Sequence, residues 1–271
     1  MVSLLFLIVN DKGAKMKKIW LAGAIFILLL SGLAGCTSKE TLENQKEQAE
    51  ALRNLGEAYL GQGNYTAALR ELLKAESMAP NDYLLQDDLG LAYLYKGDSD
   101  KAIAHFNKAL AIKDDYAPGR NNLGNAYAQK EEWDKAIEQY KIVTSNLLYA
   151  TPQFAYSNMG IAYYHKKEYR QSEKYFKEAL NIAPEFDRAL WGLSKTYIAT
   201  GRVSEAVKTL EFAVEKHPGN ISLLFELAEA YVLIRDYRKA YGAYYQVVQI
   251  DPDSPLADRA LRKANQIKPL L

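Results

Sequence analysis

The chain has 271 residues, with 34 Lys and Arg against 33 Asp and Glu, a formal charge of +1. That balance argues against a broad nucleic-acid footprint, which needs a clustered basic surface. The single cysteine excludes an internal disulfide and a cysteine-pair metal site.

The first informative stretch runs from Met16 to Cys36, "MKKIWLAGAIFILLLSGLAGC". Lys17 and Lys18 precede an apolar run from Ile19 to Leu30, and small residues follow at Ser31, Gly32, Ala34 and Gly35. This is the three-part layout of a secretory signal. The apolar run falls short of the roughly 20 residues a permanent span needs, so a short uncut anchor is the lesser alternative. Leu33-Ala34-Gly35-Cys36 closely resembles the lipobox of bacterial lipoproteins. The resemblance implies a diacylglyceryl group on the Cys36 thiol, cleavage just before it, and acylation of the new amine. Several acyl chains hold a protein stably where one does not, at about 0.8 kcal/mol per buried CH2. Thr37 stands where, in that family, an Asp often signals inner-membrane retention, so an outer-membrane position is favoured.

Residues 1–15, "MVSLLFLIVNDKGAK", fit this layout poorly, because they add a second apolar run and Asp11 ahead of the signal. Either Met16 is the true start and 1–15 is a start-site artefact, or the signal is unusually long. Residues 1–35 are therefore set aside from the fold, and 36–48 are expected to form a lipidated tether. Its polar stretch "TSKETLENQKE" reads equally as a tether or as an N-terminal helical extension.

Beyond the tether the sequence repeats itself. Leu55-Gly56, Leu89-Gly90, Leu123-Gly124, Met159-Gly160, Leu193-Ser194 and Leu227-Ala228 follow one another at steps of 34, 34, 36, 34 and 34 residues. A tyrosine stands three places after each pair, at Tyr59, Tyr93, Tyr127, Tyr163, Tyr197 and Tyr231. This spacing accounts for part of the chain's unusual total of 20 tyrosines. Further on come small residues (Ala68, Ala102, Ala136, Ser172, Ala206, Ala240) and then large ones (Leu72, Phe106, Tyr140, Phe176, Leu210, Tyr244). Pro80, Pro184, Pro218 and Pro252 close four of the copies.

This pattern resembles the tetratricopeptide repeat (TPR) of 34 residues, two antiparallel helices per copy. The expected fold is all-α, a TPR superhelical solenoid of six helix-turn-helix repeats with a C-terminal capping helix. The repeats are placed at 49–82, 83–116, 117–152, 153–186, 187–220 and 221–254. One repeat cannot bury its apolar face alone, so stacking is obligatory and the end needs a polar-faced cap. Residues 255–271 supply the cap and tail. Leu256, Ala260, Leu261 and Ala264 are expected inward and Asp258, Arg259, Arg262 and Lys263 outward, with Ser254 capping and Pro255 at the first helical position.

No phosphate loop, HExxH or GxSxG motif occurs. His105, His165 and His217 fall in different repeats and read as surface residues, and pairs such as Asp87-Asp88, Asp114-Asp115 and Glu131-Glu132 read as solvated charge. The expectation is a binding protein, not an enzyme, with no cofactor and no metal.

In TPR proteins the first helix of each repeat lines the concave face. Carried onto this chain, the second repeat contributes Leu91, Leu94 and Tyr95, with Leu84, Asp87 and Asp88. The third contributes Asn121, Asn122, Asn125 and Gln129, and the fourth Phe154, Asn158, Ile161, Tyr164 and His165. The fifth adds Trp191, Lys195 and Ile198, and the sixth Phe225 and Glu229. Asparagine amides both donate and accept, which suits an extended peptide backbone, and flanking aromatics would form side-chain pockets. The alternative is that these amides only hydrate a wide groove. A terminal-carboxylate clamp is not expected, since only Lys195 and Arg188 are near.

The 36-residue step lengthens one turn, in "TSNLLYATPQFAYSNMG" from Thr144 to Gly160. Leu147, Leu148 and Tyr149 lie on it, and apolar residues there must fold back or meet a partner. The lipobox, the six repeats and this Leu-Tyr turn before an Asn-x-Gly helix together resemble the type IV pilus biogenesis lipoproteins, the secretin pilotins. The resemblance implies a protein on the periplasmic face of the outer membrane, tied there by the lipid on Cys36. Its partners would be a secretin or another pilus-assembly component, with no nucleic acid. The alternative is a general periplasmic TPR scaffold lipoprotein serving another envelope or export complex.

Overall fold

The computed structural model describes residues 43–146 and 149–271. The signal, Cys36 and residues 36–42 of the tether lie outside the described residues, as do Leu147 and Leu148.

Every regular element among the described residues is helical. Helix α1 covers residues 43–61. It is followed by α2 (Tyr65–Met78), α3 (Tyr83–Tyr95), α4 (Ser99–Ile112), α5 (Ala117–Gln129), α6 (Trp133–Ser145) and α7 (Pro152–His165). Then come α8 (Tyr169–Ile182), α9 (Asp187–Ala199), α10 (Val203–Lys216), α11 (Ile221–Leu233), α12 (Tyr237–Ile250), α13 (Pro255–Ile267) and a 3-10 turn, Lys268–Leu270. The chain divides into two compact units, one ending at Asp88 and the other beginning at Leu89.

The turns inside the repeats share one design. In each, the residue one before the second helix's cap takes a left-handed backbone: Gly63, Gly97 and Gly201, but also Glu131, Lys167 and Arg235, at φ between 60° and 82°. The next N–H, such as that of Asp98, Glu132 or Arg202, then reaches the carbonyl of the repeat's tyrosine at 2.8–2.9 Å. This closes the first helix with a Schellman bond. Asn64, Asp98 and Asp236 also accept the backbone N–H of Ala67, Lys101 and Lys239, capping the second helix.

Packing within a repeat depends on removing side chains. The small residues Ala68, Ala102, Ala136, Ser172, Ala206 and Ala240 and the large Leu72, Phe106, Leu210 and Tyr244 are all fully buried. A Cβ placed on Gly56 would lie 2.5 Å from Leu72 Cγ, one on Gly90 2.4 Å from Phe106 Cε1, and one on Gly124 2.4 Å from Tyr140 Cε1. Carbon atoms rest at roughly 3.5–4.0 Å, so glycine is what lets the two helices close on the ring. Phe176 is gripped twice. A Cβ on Gly160 of its own repeat would approach to 2.8 Å, and one on Gly192 of the next repeat to 2.2 Å. Beside it, Ser172 Oγ donates to Gly160 O at 2.9 Å, Thr196 Oγ1 donates to Gly192 O at 2.8 Å, and the two hydroxyls lie 2.9 Å apart. A buried polar thread is thereby satisfied across two repeats.

In the second unit each helix packs on the next, and the first helices also touch between repeats: α5 on α7, α7 on α9, α11 on α13. The second helices form no such pair among these packed contacts. Within this unit the first helices therefore line the inner face. The repeat tyrosines sit under cations at the start of the second helix, with Lys101 5.1 Å from the Tyr93 ring, Lys135 5.4 Å from Tyr127 and Lys239 5.2 Å from Tyr231. They act as amphipathic wedges, with ring faces lidded by charge.

Three expectations are corrected. His105 is buried and stacks on Tyr93 at 5.3 Å, because its helix face turns inward beside Phe106. Asp87 is buried and Asp88 half-buried, so this pair is not solvated charge. Burial, with the Asp87 charge second, pushes the Asp88 carboxyl up to about 7. On α13, Ala257, Ala260, Ala264 and Ile267 form the inner stripe, and Leu261 faces out at 39% exposure, one step off it. Ser254 Oγ caps α13 by accepting from Ala257 N at 3.2 Å.

Candidate functional site

On the inner face of the second unit, α5 and α7 bring three asparagines together. Asn158 Nδ2 donates to Asn121 Oδ1 at 3.1 Å and to Asn125 Oδ1 at 3.0 Å. The Tyr140 hydroxyl donates to Asn125 Oδ1 at 2.8 Å. Tyr140 is the large core residue of its repeat, so the core itself orients the amide. Its phenol is pushed up by burial, against the opposing field of Arg188, and stays a neutral donor. Asn158 is only 4% exposed, and its Oδ1 has no hydrogen-bond partner. A cavity of about 150 Å³ lies here, bounded by Asn125, Tyr140, Asn158, Ile161 and Arg188.

Arg188 also borders a second, larger cavity of about 420 Å³, where α9, α11 and α13 begin. Trp191, Phe225, Glu226 and Arg259 line it. Its two carboxylates have partners. Asp187 Oδ2 accepts from Asn220 Nδ2 at 3.3 Å, and Glu226 pairs with Lys195 at 3.7 Å. Lys195 also lies 5.6 Å from the Trp191 ring centroid. The Arg259 guanidinium lies 4.8 Å from the Phe225 ring centroid. Arg259 is thus exposed, as its place on a capping helix implies, yet borders the cavity, because the ring holds its flat, weakly hydrated cation.

The other residues singled out in the sequence fall as follows. Asn122 is half-buried on the same helix, and Ile161, Tyr164 and Trp191 are half-buried on the inner face. Tyr164 sets its ring edge-on to His165 at 5.9 Å and to Tyr169 at 5.6 Å. Tyr95 is 55% exposed and Leu91 half-buried. Leu94 is a correction: it is buried with Phe106, Leu110 and Leu123, because it lies on the stripe of α3 that meets α4. It belongs to the core and lines no groove. Tyr149 folds back, half-buried, against the cluster of Tyr140, Val143, Ala155 and Met159.

Tyr140, Glu226 and Arg259 were not singled out as groove residues. A signal for Arg259 existed: it stands 34 residues after Phe225, as Phe225 does after Trp191, so the cap keeps the repeat register.

Models of the tetratricopeptide repeat match residues 49–82, 163–211 and 192–255, and a TPR repeat model matches 90–131. Among solved structures, PilW, a widely conserved type IV pilus biogenesis factor, is similar with a TM-score of 0.71 at 22% identity. That likeness covers 79% of this chain and 98% of PilW. The pilF protein of Pseudomonas aeruginosa is similar with a TM-score of 0.66 at 19% identity, over 81% of this chain and 99% of that one. At such identities the likeness shows the fold. By sequence, the BBSome complex member BBS4 of Xenopus tropicalis is 28% identical over 120 residues, 44% of this chain and 23% of that protein. The chain spans about a quarter or less of the length of the curated relatives it matches.

Proposed function

This chain is built of tetratricopeptide repeats, and from that premise we propose that it is a lipid-anchored scaffold that binds protein segments for type IV pilus assembly. The reading is of a non-enzymatic lipoprotein, held by acyl chains on Cys36 at the periplasmic face of the outer membrane. Its inner face takes an extended segment of a secretin or of another assembly component. The observation that carries it is the pairing of a lipobox-like Leu33-Ala34-Gly35-Cys36 with a repeat array whose likeness to PilW runs over 98% of that chain. The inner face supports it chemically. Oriented asparagine amides offer backbone-like partners, and Ile161, Tyr164 and Trp191 offer apolar surface beside them.

Two arms of one experiment test this. The full chain and its Cys36→Ser variant are expressed in a piliated bacterium and fractionated. The wild type is expected in outer membranes and the variant in the soluble fraction; a variant that still sediments with membranes refutes the anchor. Wild type and Asn125→Ala/Tyr164→Ala are then compared for pull-down of the secretin, with circular dichroism confirming the fold. Equal capture refutes the groove as the binding face, and no capture by wild type refutes the secretin as partner.

A further inference from the structure

The cavity where α9, α11 and α13 begin carries a charge pattern that the peptide-groove reading leaves unused. Four cations and three carboxylates lie along this end of the inner face: Arg188, Lys195, Arg259 and Lys263 against Asp187, Glu226 and Glu229. The carboxylates are engaged. Asp187 accepts from Asn220, Glu226 pairs with Lys195, and Glu229 pairs with Lys263 at 3.2 Å while also accepting the Tyr244 hydroxyl. Arg188 and Arg259 remain. Neither guanidinium has a carboxylate partner among the described residues, and both border the same cavity of about 420 Å³.

Their setting favours a planar anion. Arg259 is held over the Phe225 ring, so its fork is oriented before any ligand arrives. Arg188 stands on the first turn of α9 and also borders the asparagine cavity, so one side chain joins the two sites. Guanidinium groups pair carboxylates in bidentate fashion, with charge-assisted bonds stronger than neutral ones. The cavity wall beside them is Trp191, Leu223 and Leu256, which suits the aliphatic stem of an acidic side chain or an apolar neighbour.

We infer that this cavity is a specificity pocket for an acidic side chain, Asp or Glu, carried by the extended segment that the asparagine cluster holds by its backbone. The partner is therefore an acidic peptide segment, read at one position by Arg188 and Arg259. The inference rests on the groove reading and adds to it the chemistry of one residue of the partner.

The probe is a library of random twelve-residue segments displayed internally, so that no free carboxy terminus is present. It is selected on the purified full chain. Winners are then synthesised with blocked ends and titrated against the wild type, Arg188→Glu, Arg259→Glu and Lys208→Glu. The last makes the same charge change on an exposed position of α10. The expected result is a fixed Asp or Glu among the winners. Affinity should fall at least tenfold in Arg188→Glu and in Arg259→Glu, and equally when the peptide's acid is replaced by its amide, with Lys208→Glu within twofold of wild type. Arg188→Lys, which keeps the charge but not the fork, should fall between. Winners with no acidic position, or an unchanged affinity in both arginine variants, overturn the pocket and leave the groove standing. Winners that bind as synthetic peptides only after the carboxy terminus is unblocked overturn the side-chain assignment. A library that yields no winner at all overturns the groove and the pocket together.

Discussion

Gly124→Ala tests the packing rule that builds both the fold and the site. The new methyl carbon would sit 2.4 Å from Cε1, 2.8 Å from Cδ1 and 2.9 Å from Cζ of Tyr140. Against a rest distance of roughly 3.5–4.0 Å, about 1 Å of movement is needed. Tyr140 is 1% exposed and tethered through its hydroxyl to Asn125, so the ring has nowhere to swing and the helices must part. Overpacking of this kind costs roughly 1–3 kcal/mol. The better helix propensity of alanine returns roughly 0.5–1 kcal/mol. The net loss should be about 1–2 kcal/mol, read as a lower urea midpoint or a melting temperature down by about 2–8 °C for a chain this long. Gly242→Ala on α12 is the control. Nothing lies within 4 Å of its added carbon, so the same chemical change should stabilise. Adding Tyr140→Leu to Gly124→Ala should show favourable coupling in a double-mutant cycle, because the smaller side chain makes room. An unshifted midpoint in Gly124→Ala, or a Gly242→Ala that loses as much, would refute the reasoning.

Two further perturbations follow from the backbone and from burial. Lys167 and Arg235 hold left-handed φ of 61° and 62° where other repeats use glycine. Such a conformation costs a side-chain residue about 1–2 kcal/mol, so Lys167→Gly and Arg235→Gly should raise the urea midpoint while Gly97→Ala lowers it; the opposite order of signs would refute this. Asp88 has its carboxyl raised from 3.8 to about 7, chiefly by burial. The folded chain then holds a proton that the unfolded chain has released, so this residue's contribution to stability falls as pH rises from about 4 to about 7. Asp88→Asn should flatten that decline, and a pH profile identical to wild type would count against the buried acid.

The repeat register was readable because it is carried by volumes: a small residue, a large one and a tyrosine at fixed steps. Those positions are set by how closely two helices approach, and α2 to α13 fall where that spacing implies, whereas α1 begins at residue 43, inside the stretch expected as tether. What was not readable depends on rotation within a helix. Leu94 and Asp87 lie on the boundary between the inner face and the core, and a small rotation decides which side each joins. Leu261 fell outside the stripe because the buried positions of α13, Ala257, Ala260, Ala264 and Ile267, follow one another at steps of three and four that pass it by. In the site, the asparagines were visible as residue types. Their order, with Asn158 donating to both others and Tyr140 fixing Asn125, arises from residues up to 37 positions apart and could not be read locally. Arg259 shows the opposite failure. The register predicts its place beside the cavity, but a charged residue on a capping helix reads as a free surface charge, and although Arg259 is exposed, its guanidinium is held over Phe225.

The Phe176 ring, seated against Gly160 on one side and Gly192 on the other, has a consequence for how such a chain can change over time. Where a bulky residue touches only the glycine of its own hairpin, the hairpin can be copied, lost or exchanged as a block. Here the block boundary cuts through a lock and its key. A duplication that carried Phe176 to a place followed by any residue larger than glycine would jam, so the piece that can be inherited intact runs from the fourth hairpin into the fifth.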